Sequence, residues 1–477
     1  METESFPRPV RTHEGFSTLL AGTALGVYLL LIVGATTSLT DSASACTTWP
    51  ACTPPVDPLS QGQLAIAWGH RLAAVVVGVL LGVTVLVAIY GQASRRVRMT
   101  LLTALVLYVV QIGVGAATAT MGPAAVVPGL HLGLGVLVFA VVVCALAWNL
   151  EQVTGESDDR VDPEPAPIED DGVSGGSPVP SGGLARVRLV AFAYFTMMKP
   201  RLMWLLCLVA AAGMALAAGP ELDAYTIAAT LGGGVLAIGA SGTFNNVLER
   251  DVDRRMSRTA DRPLATDLIP VRNAILFGLF LTAASITVFL TINVLAAALG
   301  LVAIIFYSVV YTLLLKPNTV QNTVIGGAAG ALPALIGWAA VTNEIGMPAL
   351  ALGGIIFLWT PAHFYNLSLA YRDDYARGGF PMLSVVRGET TTRKHILYYI
   401  GATLVGTVAL AWITPLGVLF AATALVFGGV FLWFAVDLHF ERTEAAAFRA
   451  FHASNAFLGA VLVAILVDAL VLGGFVL

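Results

Sequence analysis

The chain has 477 residues, of which 57% are hydrophobic and only 11% charged. A soluble domain carries roughly a quarter charged residues, so this composition excludes a soluble globular protein. The formal net charge of −4 says little about partners, and no nucleic-acid partner is expected. Apolar runs of about twenty residues recur from end to end, each long enough to cross a bilayer as a helix. The expected fold class is therefore an all-α polytopic membrane protein.

Four spans are expected before residue 150, at 17–38, 64–91, 100–119 and 128–149. Nine follow, at 195–218, 224–248, 272–290, 293–315, 322–341, 347–369, 396–413, 416–436 and 452–476. The N-terminal tail is polar, and the first apolar run is too long for the core of a cleavable signal. With the N-terminus in the cytoplasm, Arg8, Arg11, Arg95, Arg96, Arg98, Lys316, Arg393, Lys394 and Arg442 fall inside. The outer loops 39–63, 120–127 and 342–347 then contain no Lys or Arg. That asymmetry follows the positive-inside rule. It predicts a multi-pass protein of the cell membrane with a cytoplasmic N-terminus and, from the odd span count, an outer C-terminus.

The first four spans form a small bundle, residues 1–150. His70 lies in AWGHRLAA near the start of span two, and His131 in PGLHLGLG near the start of span four. Ionisable groups inside spans are costly and rare. Two histidines on separate helices can ligate a heme iron from opposite sides, here toward the outer leaflet, with Arg71 placed to meet a heme propionate. The competing reading is a pair of interfacial histidines without a ligand. Cys46 and Cys52 share the outer loop and are a candidate disulfide on the oxidising side; Cys144 and Cys207 fall inside spans and read as core. Residues 151–187 are acidic, rich in Pro, Gly and Ser, and lack apolar periodicity, so they read as a disordered linker between two domains.

The second domain, residues 188–477, opens on Met198-Lys199-Pro200-Arg201 at a helix entrance. Next comes NNVLERDVDRRMSRTADRP, residues 245–263, which packs unusual charge after a long apolar run. Asn245, Glu249 and Asp253 lie four apart and project from one helical face. Oxygen ligands converging in that way suit a hard cation such as Mg²⁺, completed by water and substrate phosphates. Arg254, Arg258 and Arg262 repeat the same spacing and can hold phosphate. A solvated cytoplasmic loop of mixed charge is the plainer alternative. A second acidic pair, Asp373–Asp374, follows another apolar run in AYRDDYARGGFPMLSVVRGE. Both acidic patches share one side of the membrane and suggest paired Mg²⁺ sites across one diphosphate. The glycines and alanines of GGAAGA read as close helix packing. His363, in WTPAHF, reads equally as a heme contact or as a packing histidine; His395, His439 and His452 read as surface or packing residues.

These motifs resemble the UbiA-type prenyltransferases, whose first motif runs N-D-x-x-D-x-x-x-D. Asn245, Asn246, Glu249 and Asp253 stand at its positions, with Asn for the first Asp and Glu for the second. The NN opening, RTADRPL at Arg258–Leu264, QNTVIGGAAGALPALIGWAAVT and WTPAHF…DDY…GFPMLSVV resemble most closely the heme O synthase (protoheme IX farnesyltransferase) branch. The likeness runs in register over roughly 195–390; Tyr371 and Tyr375 stand where the wider superfamily tends to carry further Asp. It implies transfer of a farnesyl group from farnesyl diphosphate to the 2-vinyl group of protoheme IX (heme B), with Mg²⁺ held by Asn245, Glu249, Asp253 and the 373–374 pair. Lys199, Arg258 and Arg262 would then steady the diphosphate as it leaves. The Cys-x5-Cys loop, the His70–Arg71 pair and His131 are similar to one half of heme A synthase, over about 17–150. In the substrate half of that family a Glu precedes the first His by three residues; Ala67 stands here. The bundle is expected to bind, deliver or further process heme, with Ala67 speaking against independent oxidation to heme A, and heme A synthase or terminal oxidase assembly factors are the expected protein partners. A quinone or lipid acceptor is the alternative for the prenyltransferase. A transporter or heme electron carrier has no use for two acidic motifs flanked by arginines.

Overall fold

A computed structural model describes residues 8–37, 46, 48–51, 62–91, 93–121, 126–156, 160–161, 163–167 and 183–472. Among them every regular element is helical, and thirteen helices are long and apolar enough to cross a membrane, the number expected from the apolar runs. In chain order, α1 (Arg8–Thr37), α2 (Gly62–Tyr90), α3 (Arg95–Met121) and α4 (Val126–Thr154) come first. Then follow α5 (Gly183–Met197), α6 (Pro200–Ala218), α7 (Ala224–Leu248), the single turn α8 (Arg250–Asp253), α9 (Val271–Leu290) and α10 (Val294–Ile305), which continues as a π-helix over Phe306–Leu315. The chain ends with α11 (Asn322–Thr342), α12 (Met347–Ala370), the short α13 (Arg372–Arg377) and α14 (Leu383–Val386), and the long α15 (Glu389–Ile413), α16 (Val418–Phe440) and α17 (Glu444–Val467).

Two compact units emerge, and they do not follow chain order: one joins Met1–Ser157 with Arg393–Leu477, the other is Asp158–Thr392. In the first, polar side chains buried among apolar helices find one another, because an unpaired polar group away from water is costly. The Tyr28 hydroxyl meets Thr407 at 2.8 Å, Thr23 meets Thr84 at 2.7 Å, and the Asn149 amide donates to Ser17 at 2.9 Å. At the C-terminal turn of α4 and just past it, Lys394 pairs with Glu151 and Arg442 with Glu156, while buried His439 bonds Thr154. His439 is thus a packing residue, one of the two roles expected of it.

In the second unit α6 and α11 approach backbone to backbone. A Cβ on Gly337 would fall on the Ala210 carbonyl oxygen, and one on Gly213 on that of Ala334, so only glycine allows this crossing. Asp223 caps α7 through the amides of Tyr225 and Thr226, a standard way to satisfy orphan helix donors. The span expected to begin at 195 is broken: α5 stops at Met197, and Lys199 adopts φ 58°, ψ 57° before Pro200 opens α6. Proline at the first helical position loses no hydrogen bond and is pre-set for the helix.

Within 151–187, α4 runs to Thr154 and α5 starts at Gly183. Between them the described stretch is bonded: the Val161 amide donates to Val385 at 3.0 Å and the Ala166 amide to Arg377 at 2.9 Å. Pro163, Pro165 and Pro167 have no amide hydrogen to offer and restrict the backbone.

Candidate active site

The first acidic motif sits where α7 ends. Helical hydrogen bonding runs through Glu249 to Asn245 and from Asp253 to Glu249 at 2.7 Å, with Glu249 as the joint between α7 and α8. Asn245, Glu249 and Asp253 are all buried, and each faces a cation. Lys199 donates to the Asn245 side chain and, at 3.1 Å, to the Tyr307 hydroxyl. Lys316 lies 2.5 Å from Glu249 Oε1. Arg262 Nη1 lies 2.9 Å from both Asp253 oxygens and 3.8 Å from Glu249 Oε2. Lys199 reaches its place through a left-handed backbone that non-glycine residues rarely adopt, and such strain gathers at functional sites.

These cations and carboxylates set one another's charge. Burial pushes Glu249 toward its neutral form, but the ammoniums of Lys316 and Lys199 win and hold it below the ordinary carboxylate range. Burial raises Asp253 in spite of Arg262. Burial also lowers the Lys199 ammonium to about 8, helped by the Arg262 charge and opposed by Glu249.

The expected arginine row divides. Arg262 faces the carboxylates, whereas Arg254 turns to Asp267 at 2.6 Å and to the Ala265 carbonyl. Arg258 donates to the Tyr375 hydroxyl at 3.1 Å, with its guanidinium 4.8 Å from the Tyr371 ring centroid, a cation–π distance. The second acidic pair divides too: Asp373 is exposed and Asp374 buried. Asp374 Oδ1 accepts from the Ser257 amide at 2.8 Å, the Ser257 hydroxyl at 2.7 Å and Arg377 at 2.6 Å, and Oδ2 from the Arg258 amide at 3.2 Å. Burial opposes its ionisation, yet the bonds from Ser257 and Arg377 hold it below the usual range.

Sequence reasoning left out a whole wall of this site. In the π-helix over Phe306–Leu315 the hydrogen bonds run five residues back, as from Lys316 to Tyr311 and from Thr312 Oγ1 to Tyr307. Residues five apart therefore share a face, and Tyr307, Tyr311, Thr312 and Lys316 all turn inward: Thr312 receives the Asn245 amide at 3.1 Å. Lys316 also stands 4.3 Å over the Phe380 ring. The available signal was a lysine directly after an apolar run, since charge at a membrane boundary usually has a task.

The resemblance implies Mg²⁺ here, and the first motif fits it. Glu249 and Asp253 converge on one point, now shared by Arg262 Nη1, and the donors are the oxygens a hard cation prefers. No cluster of three or more His, Cys, Asp or Glu residues gathers among the described residues, so further ligands would come from Asn245, water and substrate phosphate.

In the other unit His70 and His131 come together, with ring centroids 6.5 Å apart and planes at 68°. Both Nδ1 atoms are buried without a hydrogen-bond partner. Arg71 reaches the carbonyls of Pro50 at 3.0 Å and Cys46 at 3.2 Å, so it braces the loop that carries Cys46. Cys46 is disulfide-bonded; Cys52, its expected partner, lies outside the described residues, and Cys144 and Cys207 are free. His363, on α12, stacks on Trp359 with centroids 4.2 Å apart.

The model of the UbiA prenyltransferase family matches residues 205–461, more than half of the chain. The chain belongs to the UbiA prenyltransferase family. A second model, described as Cytochrome oxidase assembly protein, matches residues 17–168, which is the bundle likened above to half of heme A synthase. Protoheme IX farnesyltransferase of Haloarcula marismortui is 60% identical over 462 residues, covering 96% of this chain and 99% of that protein. A shorter protoheme IX farnesyltransferase, from Nocardia farcinica, is 44% identical over 297 residues, covering 61% of this chain and 94% of itself. A solved structure of digeranylgeranylglyceryl phosphate synthase has a TM-score of 0.50 at 15% identity, covering 58% of this chain and 98% of its own; that likeness is one of fold.

Proposed function

We propose that the chain is a protoheme IX farnesyltransferase of the cell membrane. It transfers the farnesyl group of farnesyl diphosphate to the 2-vinyl group of protoheme IX, giving heme O and diphosphate. The observation that carries this reading is 60% identity over nearly the full length of an enzyme of that name, together with a buried cation–carboxylate site of the kind diphosphate chemistry needs. Residues 188–477 are read as the catalytic domain, supported by the family match over 205–461, with this site and the N-terminus on the cytoplasmic side.

The division of labour follows from the contacts. Asn245, Glu249 and Asp253 would hold Mg²⁺, which when bound neutralises diphosphate charge. Lys199, Lys316 and Arg262 are now satisfied by those oxygens. When substrate arrives they are free to turn to the phosphates, because each cation sits on a flexible side chain. Arg258, parked on Tyr371 and Tyr375, adds a planar donor. Cations fixed around a departing diphosphate stabilise the charge that develops as the allylic carbon–oxygen bond breaks. Attack by the vinyl carbon forms the new carbon–carbon bond, and water, adding a hydroxyl to the resulting cation and releasing a proton, completes the hydroxyethylfarnesyl group. The apolar helices shield the prenyl tail until then.

Incubating the purified chain with protoheme IX, farnesyl diphosphate and Mg²⁺, then weighing extracted hemes by mass spectrometry, tests the proposal. A heme heavier by one farnesyl and one hydroxyl group supports it; unmodified heme beside a prenylated quinone or lipid would replace it.

A second reading concerns the bundle. The facing His70 and His131 rings favour bis-histidine heme binding there. Replacing both by Ala should erase a low-spin heme absorbance without stopping farnesyl transfer; an unchanged spectrum refutes it. We read heme A synthase and terminal oxidase assembly factors as downstream partners, since they take up the product.

A further inference from the structure

The carboxylates of this site are partnered in two different ways. Glu249 and Asp253 face lysine and arginine side chains, which can swing away and leave oxygens for a metal. Asp374 faces two consecutive backbone amides, of Ser257 and Arg258, plus the Ser257 hydroxyl and Arg377. Backbone amides cannot leave without unfolding the loop that bears them. Three donors on Oδ1 saturate an oxygen that has two lone-pair sites, and bonds to an ionised acceptor are the strong ones.

The neighbouring residue completes the pattern. Asp374 holds the backbone of Arg258, while Tyr375 holds its guanidinium by a 3.1 Å hydrogen bond. Met256, one residue before Ser257, is buried in one apolar cluster with Tyr375 and Phe380. The second acidic motif thus grips the arginine loop of the first by main chain, side chain and packing together.

We propose that Asp374 is a positioning residue: it is the clasp that fixes the Ser257–Arg258 turn and so aims Arg258 at the diphosphate, and it ligates no metal. The divalent cation then depends on Asn245, Glu249 and Asp253. The inference rests on the prenyl-transfer reading for the role of Arg258, but its first test does not require turnover.

That test is Mn²⁺ binding to the full-length protein, followed by electron paramagnetic resonance, with inorganic diphosphate held at saturation for each variant so that a weaker hold on diphosphate does not enter the metal affinity. Glu249→Gln should weaken binding by about ten-fold or more, at least what loss of an outer-shell partner costs a metal site. Asp374→Asn should leave Mn²⁺ affinity within about two-fold, as expected of an uncoupled site. If Asp374→Asn weakens Mn²⁺ as Glu249→Gln does, Asp374 is a ligand and the clasp is refuted. Turnover is read second. Ser257→Ala and Asp374→Asn should each lower kcat or raise the KM for farnesyl diphosphate about ten-fold, a typical cost of a misplaced group. The double variant should be no worse than Asp374→Asn alone; additive losses count against the clasp. Should Asp374→Asn fail to fold, Ser257→Ala decides: a raised KM with unchanged Mn²⁺ binding supports the clasp, and unchanged KM and kcat overturn it.

Discussion

Removing the Lys316 ammonium while keeping its stem, as Lys316→Met, isolates the tightest ion pair of the site. The pair is 2.5 Å long, with 11% of the Lys316 side chain and 6% of that of Glu249 exposed. Breaking a buried pair by deleting one partner costs about 3–5 kcal/mol, mostly because the other charge is left without compensation. Arg262, 3.8 Å from the second Glu249 oxygen, supplies partial relief, so the low end, about 3 kcal/mol, is expected. For a unit of this size that corresponds to a Tm lower by roughly 6–12 °C. The assay is thermal denaturation of detergent-solubilised protein, scored by size-exclusion chromatography, for Lys316→Met, Glu249→Gln and the double variant. Glu249→Gln removes the stranded charge, so the double variant should recover most of the stability lost in Lys316→Met, while farnesyl transfer stays low in all three. Losses that simply add would refute the pairing, because residues in one network must show an interaction energy.

Lys199 predicts a pH dependence for the metal-free protein. Its folded value, about 8 against an ordinary 10.5, means that between those values the unfolded chain holds more protons. Stability relative to Lys199→Met should therefore rise with pH across that window; a flat difference would show that Lys199 is solvated. Gly337→Ala, whose new Cβ meets the Ala210 carbonyl, should cost about 1–3 kcal/mol by forcing α6 and α11 apart. Combined with Gly213→Ala the loss should fall short of the sum in thermal unfolding, since one separation relieves both clashes.

What the sequence revealed follows the physics of each signal. Membrane helices advertise themselves because every span must be apolar throughout its length, hence the agreement in their number. Asn245, Glu249 and Asp253 were legible because a spacing of four reads directly as one face. Tyr307, Thr312 and Lys316 were not, because the wide π turn gives their stretch a period that α-helical reasoning does not use. The choice between Asp373 and Asp374 depends on which side of a six-residue helix meets Ser257, more than a hundred residues away, and no local pattern encodes that. The contacts of Arg71 with the carbonyls of Pro50 and Cys46 were not legible, because loop carbonyls leave no mark in a sequence.

Two amide bonds, from Val161 to Val385 and from Ala166 to Arg377, tie the segment ahead of α5 to the stretch that carries the second acidic motif. Val161 and Ala166 are five residues apart in the chain, and their amides meet the carbonyls of Val385 and Arg377. Residues added before 158 leave both attachments in place, whereas a residue lost between 161 and 166 puts one of them out of register. Arg377 is also the side chain that touches Asp374. A protein divided into two co-expressed pieces should therefore keep these attachments within one piece when cut at 157 and carry them between pieces when cut at 182, although both cuts fall between the same two helices.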